Sequence, residues 1–308
     1  MKIAFTTELP REGFRRLGGH TLYAPFEEAD ILVSTFDAKV SGELIAAMPN
    51  LKLIANFGAG YNNIDLEACK VRGIRVTNTP QPVIEPTAEL AFALMIDIAR
   101  RVSEFDRKVR AGQAVFGVMN NLSHSLYGKT LGILGMGRIG QALARRAKAS
   151  GMQIIYHNRH KINDDALKAL NGGNDEMVKY VDFQTLLQDS DYLSLNLPYT
   201  QEVHHIIGKP ELGMMKRSAY LINTARGAHV DEAALIEALK SGIIAGAALD
   251  VYEHEPAISP ELLTLPNVVL SPHTGTGTWE GRIAMCENVS DNIIAFVEKD
   301  FAKMNIVL

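Results

Sequence analysis

A glycine-rich turn between an apolar strand and a helix constrains this chain more than any other feature. The apolar run Leu131–Leu134 leads into Gly135, Gly137 and Gly140, which have the spacing Gly-x-Gly-x-x-Gly. Glycines at these positions allow a tight turn, a close approach of the backbone to a pyrophosphate, and close packing of helix against strand. The N-terminus of the helix adds unpaired N–H groups and the positive end of its dipole. The turn therefore predicts a dinucleotide site, with contacts from Gly135, Gly137, Arg138, Ile139 and Gly140.

The alternative interpretation of this turn is a tight bend that binds nothing. The flanking pattern favours the nucleotide site, because a strand precedes the glycines and a helix with one apolar face follows them. That face is formed by Ile139, Ala142, Leu143 and Ala147. About 130 residues precede the turn, which is enough for another domain. The length of 308 residues also suits two domains.

The residues before the turn alternate between short apolar segments and helical ones, which predicts an α/β fold with a doubly wound parallel sheet. A long helix is predicted from Pro86 to about Gly112, because proline is tolerated in a first helical turn and apolar residues then recur at helical spacing. The segment 111–129 is predicted to connect the two domains. The strands predicted in this part are Lys2–Thr6, Ile31–Ser34, Leu51–Asn56 and Arg75–Thr77.

The second part of the chain places polar residues directly after predicted strands. These strands are Leu131–Leu134, Gln153–His157, Tyr192–Leu197, Ala219–Asn223, Ala245–Val251 and Val268–Leu270. Arg226, Glu255 and His273 follow three of them, and ligands of such sheets bind outside the carboxyl ends of the strands. Each residue also has an ordinary explanation, as a surface ion pair, a solvated loop charge or a structural histidine. Their common position at one sheet edge, together with the glycine turn, indicates a site.

Composition excludes several classes of protein. The net charge is −4 with acids and bases interspersed, so a nucleic-acid partner is not expected. Cys69 and Cys286 lie far apart and have no metal-ligand spacing, which predicts free thiols and no metal site. Neither a signal peptide nor an apolar run of membrane-spanning length is apparent. We therefore expect a cytoplasmic protein with no membrane partner.

The ordered motifs of the chain resemble those of the D-isomer-specific 2-hydroxyacid dehydrogenase family. The resemblance covers nearly the whole chain and rests on Asn56–Asp65, Val76–Pro80, the glycine turn, Asn223–Gly227, Asp250–Pro256 and Pro272–Gly275. It implies two doubly wound domains with an active-site cleft between them. Residues 1–98 and 274–308 would form the substrate-binding domain, and residues 99–273 a Rossmann dinucleotide-binding domain. It also implies a homodimer formed through an arm at about residues 98–128.

The resemblance assigns the catalytic roles to Arg226, Glu255 and His273. Reduction of a 2-oxo acid needs a proton at the carbonyl oxygen, which His273 can donate as imidazolium. Glu255 would favour the protonated ring, and Arg226 would offer paired donors to the substrate. Backbone N–H groups near Ala59 and Gly60 would bind the substrate carboxylate. The further coenzyme contacts implied are Leu197, Pro198, Thr224, Ala225, Asp250 and Gly275.

The choice of coenzyme is predicted from the end of the strand Gln153–His157. An NAD-selective site usually carries an acid there, but this chain has Asn158, followed by Arg159, His160 and Lys161. A carboxylate would repel a 2′-phosphate, whereas a guanidinium can bind one with two hydrogen bonds. These residues therefore predict NADP(H) as the preferred coenzyme, with NAD(H) possible. The alternative interpretation is that the basic residues form a solvated surface loop with no role in coenzyme binding.

The favoured function is an NAD(P)H-dependent reductase of a small 2-oxo acid of the glyoxylate or hydroxypyruvate type, resembling the NADP(H)-preferring reductases of these acids. A phosphoglycerate dehydrogenase-like NAD enzyme and a nucleotide-sensing corepressor on the same scaffold stay open as alternatives. Formate dehydrogenases resemble this family but carry glutamine in place of Glu255. Asn62 and the proline-rich segment Gln81–Pro86 depart from the family pattern, so the substrate preference is left open.

Overall fold

The chain folds into two units, each built around its own parallel β-sheet. The computed structural model describes residues 1–172 and 178–308. One unit comprises Met1–Pro86 with Thr276–Leu308, and the other comprises Thr87–Gly275. The predicted borders at 98/99 and 273/274 differ from these. Asp97 and Ile98, which the prediction placed in the first domain, line a cavity together with Tyr220 and Asn267 of the second unit.

The strands are β1 (Lys2–Phe5), β2 (Thr21–Leu22), β3 (Ile31–Thr35), β4 (Leu53–Phe57), β5 (Arg75–Thr77), β6 (Thr130–Leu134), β7 (Gln153–His157), β8 (Val178–Tyr180), β9 (Tyr192–Leu195), β10 (Tyr220–Asn223), β11 (Gly246–Leu249) and β12 (Val268–Leu270). The helices are α1 (Gly42–Ala46), α2 (Leu66–Val71), α3 (Ile84–Arg100), α4 (Val102–Arg110), α5 (Arg138–Ala149), α6 (Asp164–Asn171), α7 (Phe183–Asp189), α8 (Lys209–Met214), α9 (Glu232–Ser241), α10 (Pro260–Thr264) and α11 (Trp279–Glu298).

The sheet of the first unit has the order β2-β1-β3-β4-β5, and all of its pairings are parallel. The central strands β3 and β4 are buried along their whole length, as expected of a parallel sheet covered on both faces. The chain returns to this unit through α11, where the Ser290 hydroxyl donates a hydrogen bond to the carbonyl of Gly13. A Cβ on Gly13 would lie 2.2 Å from that of Cys286, so glycine permits this close packing.

The sheet of the second unit has the order β12-β11-β10-β9-β6-β7-β8, again entirely parallel. This is the doubly wound order, in which the direction of winding reverses between β6 and β9. The predicted fold class, two doubly wound parallel-sheet domains of which the second is a Rossmann domain, is confirmed. Ligands of such sheets bind at the point of reversal, outside the carboxyl ends of the strands.

The single long helix predicted from Pro86 to about Gly112 was wrong. Two helices occupy this stretch, α3 and α4, and they are separated by Arg101, which adopts a left-handed conformation with φ of 58°. The Asp97 side chain accepts hydrogen bonds from the N–H of Ser103, at 2.7 Å, and from its hydroxyl, so it satisfies the first turn of α4. The buried face of α3 ends at Ala99, and α4 buries no residue, so burial does not favour one continuous helix.

Two short edge strands, β2 and β8, were not predicted. Each adds only two or three residues to its sheet, so the apolar alternation that marks a strand is too short to recognise. Strands β9 and β11 end two residues earlier than predicted, which places Leu197 and Val251 in the following loops. Within the described residues, no helix is both long enough and apolar enough to cross a membrane.

Candidate active site

The glycine turn forms a cradle at the point where the sheet reverses direction. Gly135 has φ of +98°, and a Cβ there would lie 2.7 Å from the backbone of Asn196 and Leu197 at the end of β9. A Cβ on Gly140 would lie 2.4 Å from the carbonyl oxygen of Gly135. Gly137 differs, because a Cβ there would meet nothing within 4 Å. The first and third glycines therefore allow tight packing, and the second leaves open space beside the N-terminus of α5.

The groups around this cradle fit a dinucleotide. The helix α5 begins at Arg138 after Gly137, and no side chain caps its first N–H groups. Within residues 1–172 and 178–308, the buried Oδ1 of Asn196 and the buried Oγ1 of Thr224 have no hydrogen-bond partner. Buried polar atoms normally have partners, so these two atoms and the uncapped helix end indicate a polar ligand.

The ribose end of the predicted coenzyme site begins directly after β7. The Oδ1 of Asn158 accepts a hydrogen bond of 2.6 Å from the N–H of Met136, so this side chain is anchored to the glycine turn. Arg159 and His160 are exposed. Lys161 is also exposed, but its ammonium lies 4.9 Å from the ring centroid of Tyr180, which is a cation–π distance. The three basic residues are therefore not equivalent.

A histidine and a carboxylate pair at the ends of the last two strands. The Nδ1 of His273 lies 2.7 Å from Oε2 of Glu255, and the N–H of Tyr252 donates to Oε1 of the same carboxylate at 2.9 Å. Partial burial acts to raise the pKa of Glu255. The hydrogen bonds from His273 and Tyr252 and the positive charges of His273 and Arg226 outweigh burial, so this pKa is lowered. The carboxylate is thus held ionised beside the imidazole.

The loop after β10 positions Arg226. The Asn223 side chain donates to the carbonyl of Arg226 at 2.9 Å and accepts from the N–H of Ala225 at 3.0 Å, so it closes the loop. A Cβ on Gly227 would lie 1.9 Å from the backbone of Tyr252, which shows that two loops touch here. Burial lowers the pKa of the Arg226 guanidinium and Glu255 opposes this effect, while arginine stays charged.

The histidine itself sits on a constrained turn. His273 has φ of 53°, a left-handed conformation that is uncommon outside glycine. The fully buried Asp250 holds this turn, because its backbone carbonyl accepts from the N–H of His273 and its two carboxylate oxygens accept from the N–H groups of Thr274 and Gly275, each at 2.8 Å. The sequence predicted Asp250 and Gly275 as coenzyme contacts. In the structure, the hydrogen bonds of Asp250 to this turn fix the position of His273.

In the first unit, the predicted residues Ala59 and Gly60 follow β4. The side chain of Asn78 donates to the carbonyl of Ala59, and that of Asn56 donates to the carbonyl of Gly60, both at 2.8 Å. In the part of the chain that the structure describes, the N–H groups of Ala59 and Gly60 donate no hydrogen bond. The loop therefore presents two adjacent free donors, an arrangement that suits an anion.

The structure thus brings Arg226, Glu255 and His273 to one edge of the second sheet, and it places Leu197, Pro198, Thr224 and Ala225 in loops at the same edge. Sequence reasoning missed Asn223, Tyr252 and Asn196, which position or complete the site. A signal for Asn223 existed, since an amide side chain at the end of a buried apolar strand needs a local partner. Asn196, at the end of the buried strand β9, carried the same signal, whereas Tyr252 carried none.

The chain is similar to known proteins over most of its length. A model of the family described as D-isomer specific 2-hydroxyacid dehydrogenase, NAD binding domain, matches residues 92–275. The glyoxylate reductase of Thermococcus litoralis is 50% identical over 276 residues, which are 88% of this chain and 81% of the relative. A crystal structure of a glyoxylate reductase from Paecilomyes thermophila has a TM-score of 0.87 at 36% identity and covers 100% of this chain and 98% of that one.

A further crystal structure is that of an NADPH-dependent glyoxylate/hydroxypyruvate reductase from Sinorhizobium meliloti, in complex with NADP and malonate. It has a TM-score of 0.84 at 32% identity and covers 96% of this chain and 93% of that one. The likeness therefore extends over both units.

Proposed function

Since the chain belongs to the D-isomer specific 2-hydroxyacid dehydrogenase family, we propose that it reduces glyoxylate or hydroxypyruvate with NADPH. The resemblance inferred from the motifs is confirmed, and the chain is an oxidoreductase that uses a nicotinamide coenzyme to interconvert small 2-oxo acids and D-2-hydroxy acids. The observation that carries the proposal is the 2.7 Å pair between His273 and Glu255. It stands at the same sheet edge as the glycine turn.

In our proposal, His273 is the proton donor for reduction. The coenzyme, when bound, supplies the hydride to the carbonyl carbon. The Nε2–H of the His273 imidazolium donates a proton to the carbonyl oxygen, so the product is a hydroxyl group and the ring is left neutral. Glu255 accepts a hydrogen bond from Nδ1, which fixes the orientation of the ring. In oxidation the same ring accepts the proton.

Substrate binding is proposed to depend on the carboxylate. Arg226 would donate hydrogen bonds to the carboxylate and carbonyl oxygens, since its planar guanidinium offers paired donors. In the first unit, we propose that the free N–H groups of Ala59 and Gly60 bind a substrate carboxylate. Neutral donors in a preorganised loop and a guanidinium both stabilise anionic oxygens.

We propose NADPH as the preferred coenzyme for two reasons. Asn158 supplies no carboxylate to repel a 2′-phosphate, and Arg159 is exposed directly after it. The similar enzyme from Sinorhizobium meliloti is described as NADPH-dependent. The remaining contacts to the dinucleotide are proposed from the residues at the cradle and the strand ends: Gly135, Gly137, Arg138, Ile139, Gly140, His160, Leu197, Pro198, Thr224, Ala225, Asp250 and Gly275.

We also propose a cytoplasmic homodimer. The helix α4 buries no residue, and the segment after it exposes Phe116 by 90%, Val118 by 95% and Met119 by 76%. An exposed apolar patch of this kind marks an interaction surface. Light scattering coupled to size-exclusion chromatography should give the mass of a dimer for the wild type and of a monomer for Phe116→Glu with Val118→Glu. A monomeric wild type contradicts this proposal.

The activity is tested by following the loss of reduced-coenzyme absorbance with a panel of 2-oxo acids and both coenzymes. Glyoxylate and hydroxypyruvate should give the highest kcat/KM with NADPH. The panel should include 3-phosphohydroxypyruvate, because a preference for it with NADH would favour the phosphoglycerate-type alternative. Tight NADPH binding without turnover of any 2-oxo acid would instead favour the corepressor alternative. Either result overturns the proposal.

A further inference from the structure

We propose that His204, His205 and Glu253 form a binding site for one divalent transition-metal ion, with Zn²⁺ as the expected occupant. One ring nitrogen of each histidine and one carboxylate oxygen of Glu253 lie within 4.8 Å of one another. The sequence predicted no metal site, because the chain has no motif with metal-ligand spacing. Folding assembles this group from residues that lie 48 positions apart.

Two loops of the second unit supply the ligands. His204 and His205 follow β9, and Glu253 follows β11. The Nε2 of His205 lies 2.7 Å from Oε1 of Glu253. Ligand atoms bound to one tetrahedral Zn²⁺ at about 2.0–2.1 Å stand about 3.3 Å apart, so these two atoms would have to separate by a little over half an ångström. The backbone N–H of His205 also donates to the carbonyl of Ala228, at 2.9 Å, which holds its loop in place.

The backbone at His205 directs both imidazoles to the same side. In an extended chain, successive side chains point to opposite faces. His205 instead has φ of 50°, a left-handed conformation that is unfavourable for a residue with a Cβ. As a result its ring lies beside that of His204, with centroids 3.9 Å apart and planes inclined by 21°. Left-handed non-glycine residues are found at functional sites, and here the conformation gathers two nitrogen ligands.

The groups around the three ligands suit metal binding. The Oε2 of Glu253 accepts a hydrogen bond from the N–H of Glu232, and the hydroxyl of Tyr199 lies 3.3 Å from Nδ1 of His204. Hydrogen bonds of this kind orient ligands and strengthen metal sites. Glu253 also borders a cavity with an excess of acids over bases, which attracts cations. The acids of that cavity are Asp231, Glu232, Glu237, Glu253 and Glu261, and its bases are Lys240 and His254.

The donor set selects the class of ion. Imidazole suits Zn²⁺, Co²⁺, Ni²⁺ and Cu²⁺, whereas Mg²⁺ and Ca²⁺ prefer sites made only of oxygen. Two histidines and one carboxylate supply three of the four positions of a tetrahedral Zn²⁺ site. His204 is exposed, so water can fill the fourth position. A bound ion would join the loops after β9 and β11 and leave the His273–Glu255 pair to its own role.

The test is calorimetric titration with ZnCl₂ of protein prepared without a polyhistidine tag. The wild type should bind one equivalent, and His204→Ala and Glu253→Gln should bind at least about tenfold more weakly, as lost or poorly oriented ligands weaken sites. His204 is exposed, so its truncation leaves the fold intact. His254→Ala is the matched control, since this exposed histidine lies outside the ligand group, and it should bind as the wild type does.

The spectrum of added Co²⁺ gives a second readout that does not depend on activity. The wild type and His254→Ala should show the intense visible bands of a tetrahedral site, and His204→Ala should lack them. No saturable Zn²⁺ binding by the wild type would overturn the proposal. So would unchanged affinity in both His204→Ala and Glu253→Gln, or a site that is lost in His273→Ala and kept in His204→Ala.

Discussion

Removal of the Arg159 side chain should shift coenzyme preference from NADPH towards NADH. The guanidinium is exposed directly after β7, beside the Asn158 amide that is anchored to the glycine turn. A charge-assisted hydrogen bond contributes about 1.5–3 kcal/mol. Because each 1.36 kcal/mol corresponds to a factor of ten, Arg159→Ala should lower kcat/KM for NADPH by about 10- to 150-fold. NADH has no 2′-phosphate, so its kcat/KM should change by less than about threefold.

The structure supplies a matched control in the same basic run. Lys161 lies over the ring of Tyr180, at 4.9 Å from its centroid, so its charge already has a partner. Lys161→Ala removes one positive charge, as Arg159→Ala does, and should leave the ratio of NADPH to NADH efficiency close to that of the wild type. Equal effects of the two substitutions would show that only general electrostatic attraction operates here.

A second substitution adds repulsion without disturbing the glycine turn. The Oδ1 of Asn158 accepts the N–H of Met136 at 2.6 Å, and an aspartate can accept the same hydrogen bond. Asn158→Asp therefore adds a negative charge and keeps the anchor. Combined with Arg159→Ala, it should lower NADPH efficiency further, because repulsion then joins the loss of attraction.

The assay is initial-rate reduction of glyoxylate at varied concentrations of each coenzyme. The preference of the wild type for NADPH should also weaken as salt rises from about 50 mM to about 500 mM, since exposed charges are screened. A wild type that prefers NADH, with a ratio that ignores Arg159→Ala and the double substitution, refutes the reasoning. The basic residues after Asn158 would then be solvated surface charges.

Three further substitutions test the acid–base group, the anion anchor and a surface ion pair. His273→Ala should lower kcat by about 10²–10⁴-fold, with coenzyme affinity measured by fluorescence titration unchanged; near-wild-type turnover would exclude His273 as the proton donor. Arg226→Lys should weaken transition-state binding by about 1.5–3 kcal/mol for 2-oxo acids and by less for a carbonyl compound without a carboxylate; equal losses would exclude a carboxylate anchor. Hydrogen bonds from Arg101 chiefly, and also from Lys108, lower the pKa of Glu104 to about 2, so its contribution to stability is present above pH 4.5 and lost as pH falls towards 2. Denaturant unfolding should therefore give Glu104→Gln a free energy of unfolding about 1–2 kcal/mol below that of the wild type near neutral pH. The expected difference is this small because Arg101 and Lys108 are each more than a third exposed, so that solvent screens the pair. A difference that persists unchanged at about pH 2 would contradict this reasoning.

Local sequence was sufficient to predict those elements whose backbone conformation is set by residues close together in the chain. The spacing of Gly135, Gly137 and Gly140 predicted a strand, a turn and a helix, and at Gly135 and Gly140 a Cβ would clash with the backbone that the turn contacts. The start of α9 at an Asp231 cap and its end at Gly242, with φ of 66°, follow from hydrogen bonds within four residues. The placement of Arg226, Glu255 and His273 at one sheet edge followed from the parallel order of the strands.

Local sequence was insufficient to predict those elements whose form depends on what the rest of the fold buries or pairs with them. The run from Pro86 to about Gly112 was predicted as one helix, because helix propensity and apolar periodicity do not show whether a helix has a core to cover, and α4 buries no residue. The break at Arg101 depends on the Asp97 cap and on the cavity wall that the end of α3 forms. Short edge strands such as β2 and β8 form because a neighbouring strand offers unpaired backbone groups. The residues of the edge strand itself do not reveal that such a neighbour is present.

By itself, then, the sequence determined the fold class and the glycine cradle, since both depend on residue type and on the order of strands. The catalytic roles of Arg226, Glu255 and His273 and the coenzyme role of the basic residues after Asn158 stay predictions. Only the tertiary structure decided which side chains hold these groups in place. Asp250 clamps the turn of His273, Asn223 closes the loop of Arg226, and Glu253 meets His205 from another loop. The physical reason is that such contacts depend on distances of a few ångströms between loops from different strands. Those distances are set by how the strands align and pack, and no local pattern in the chain encodes them.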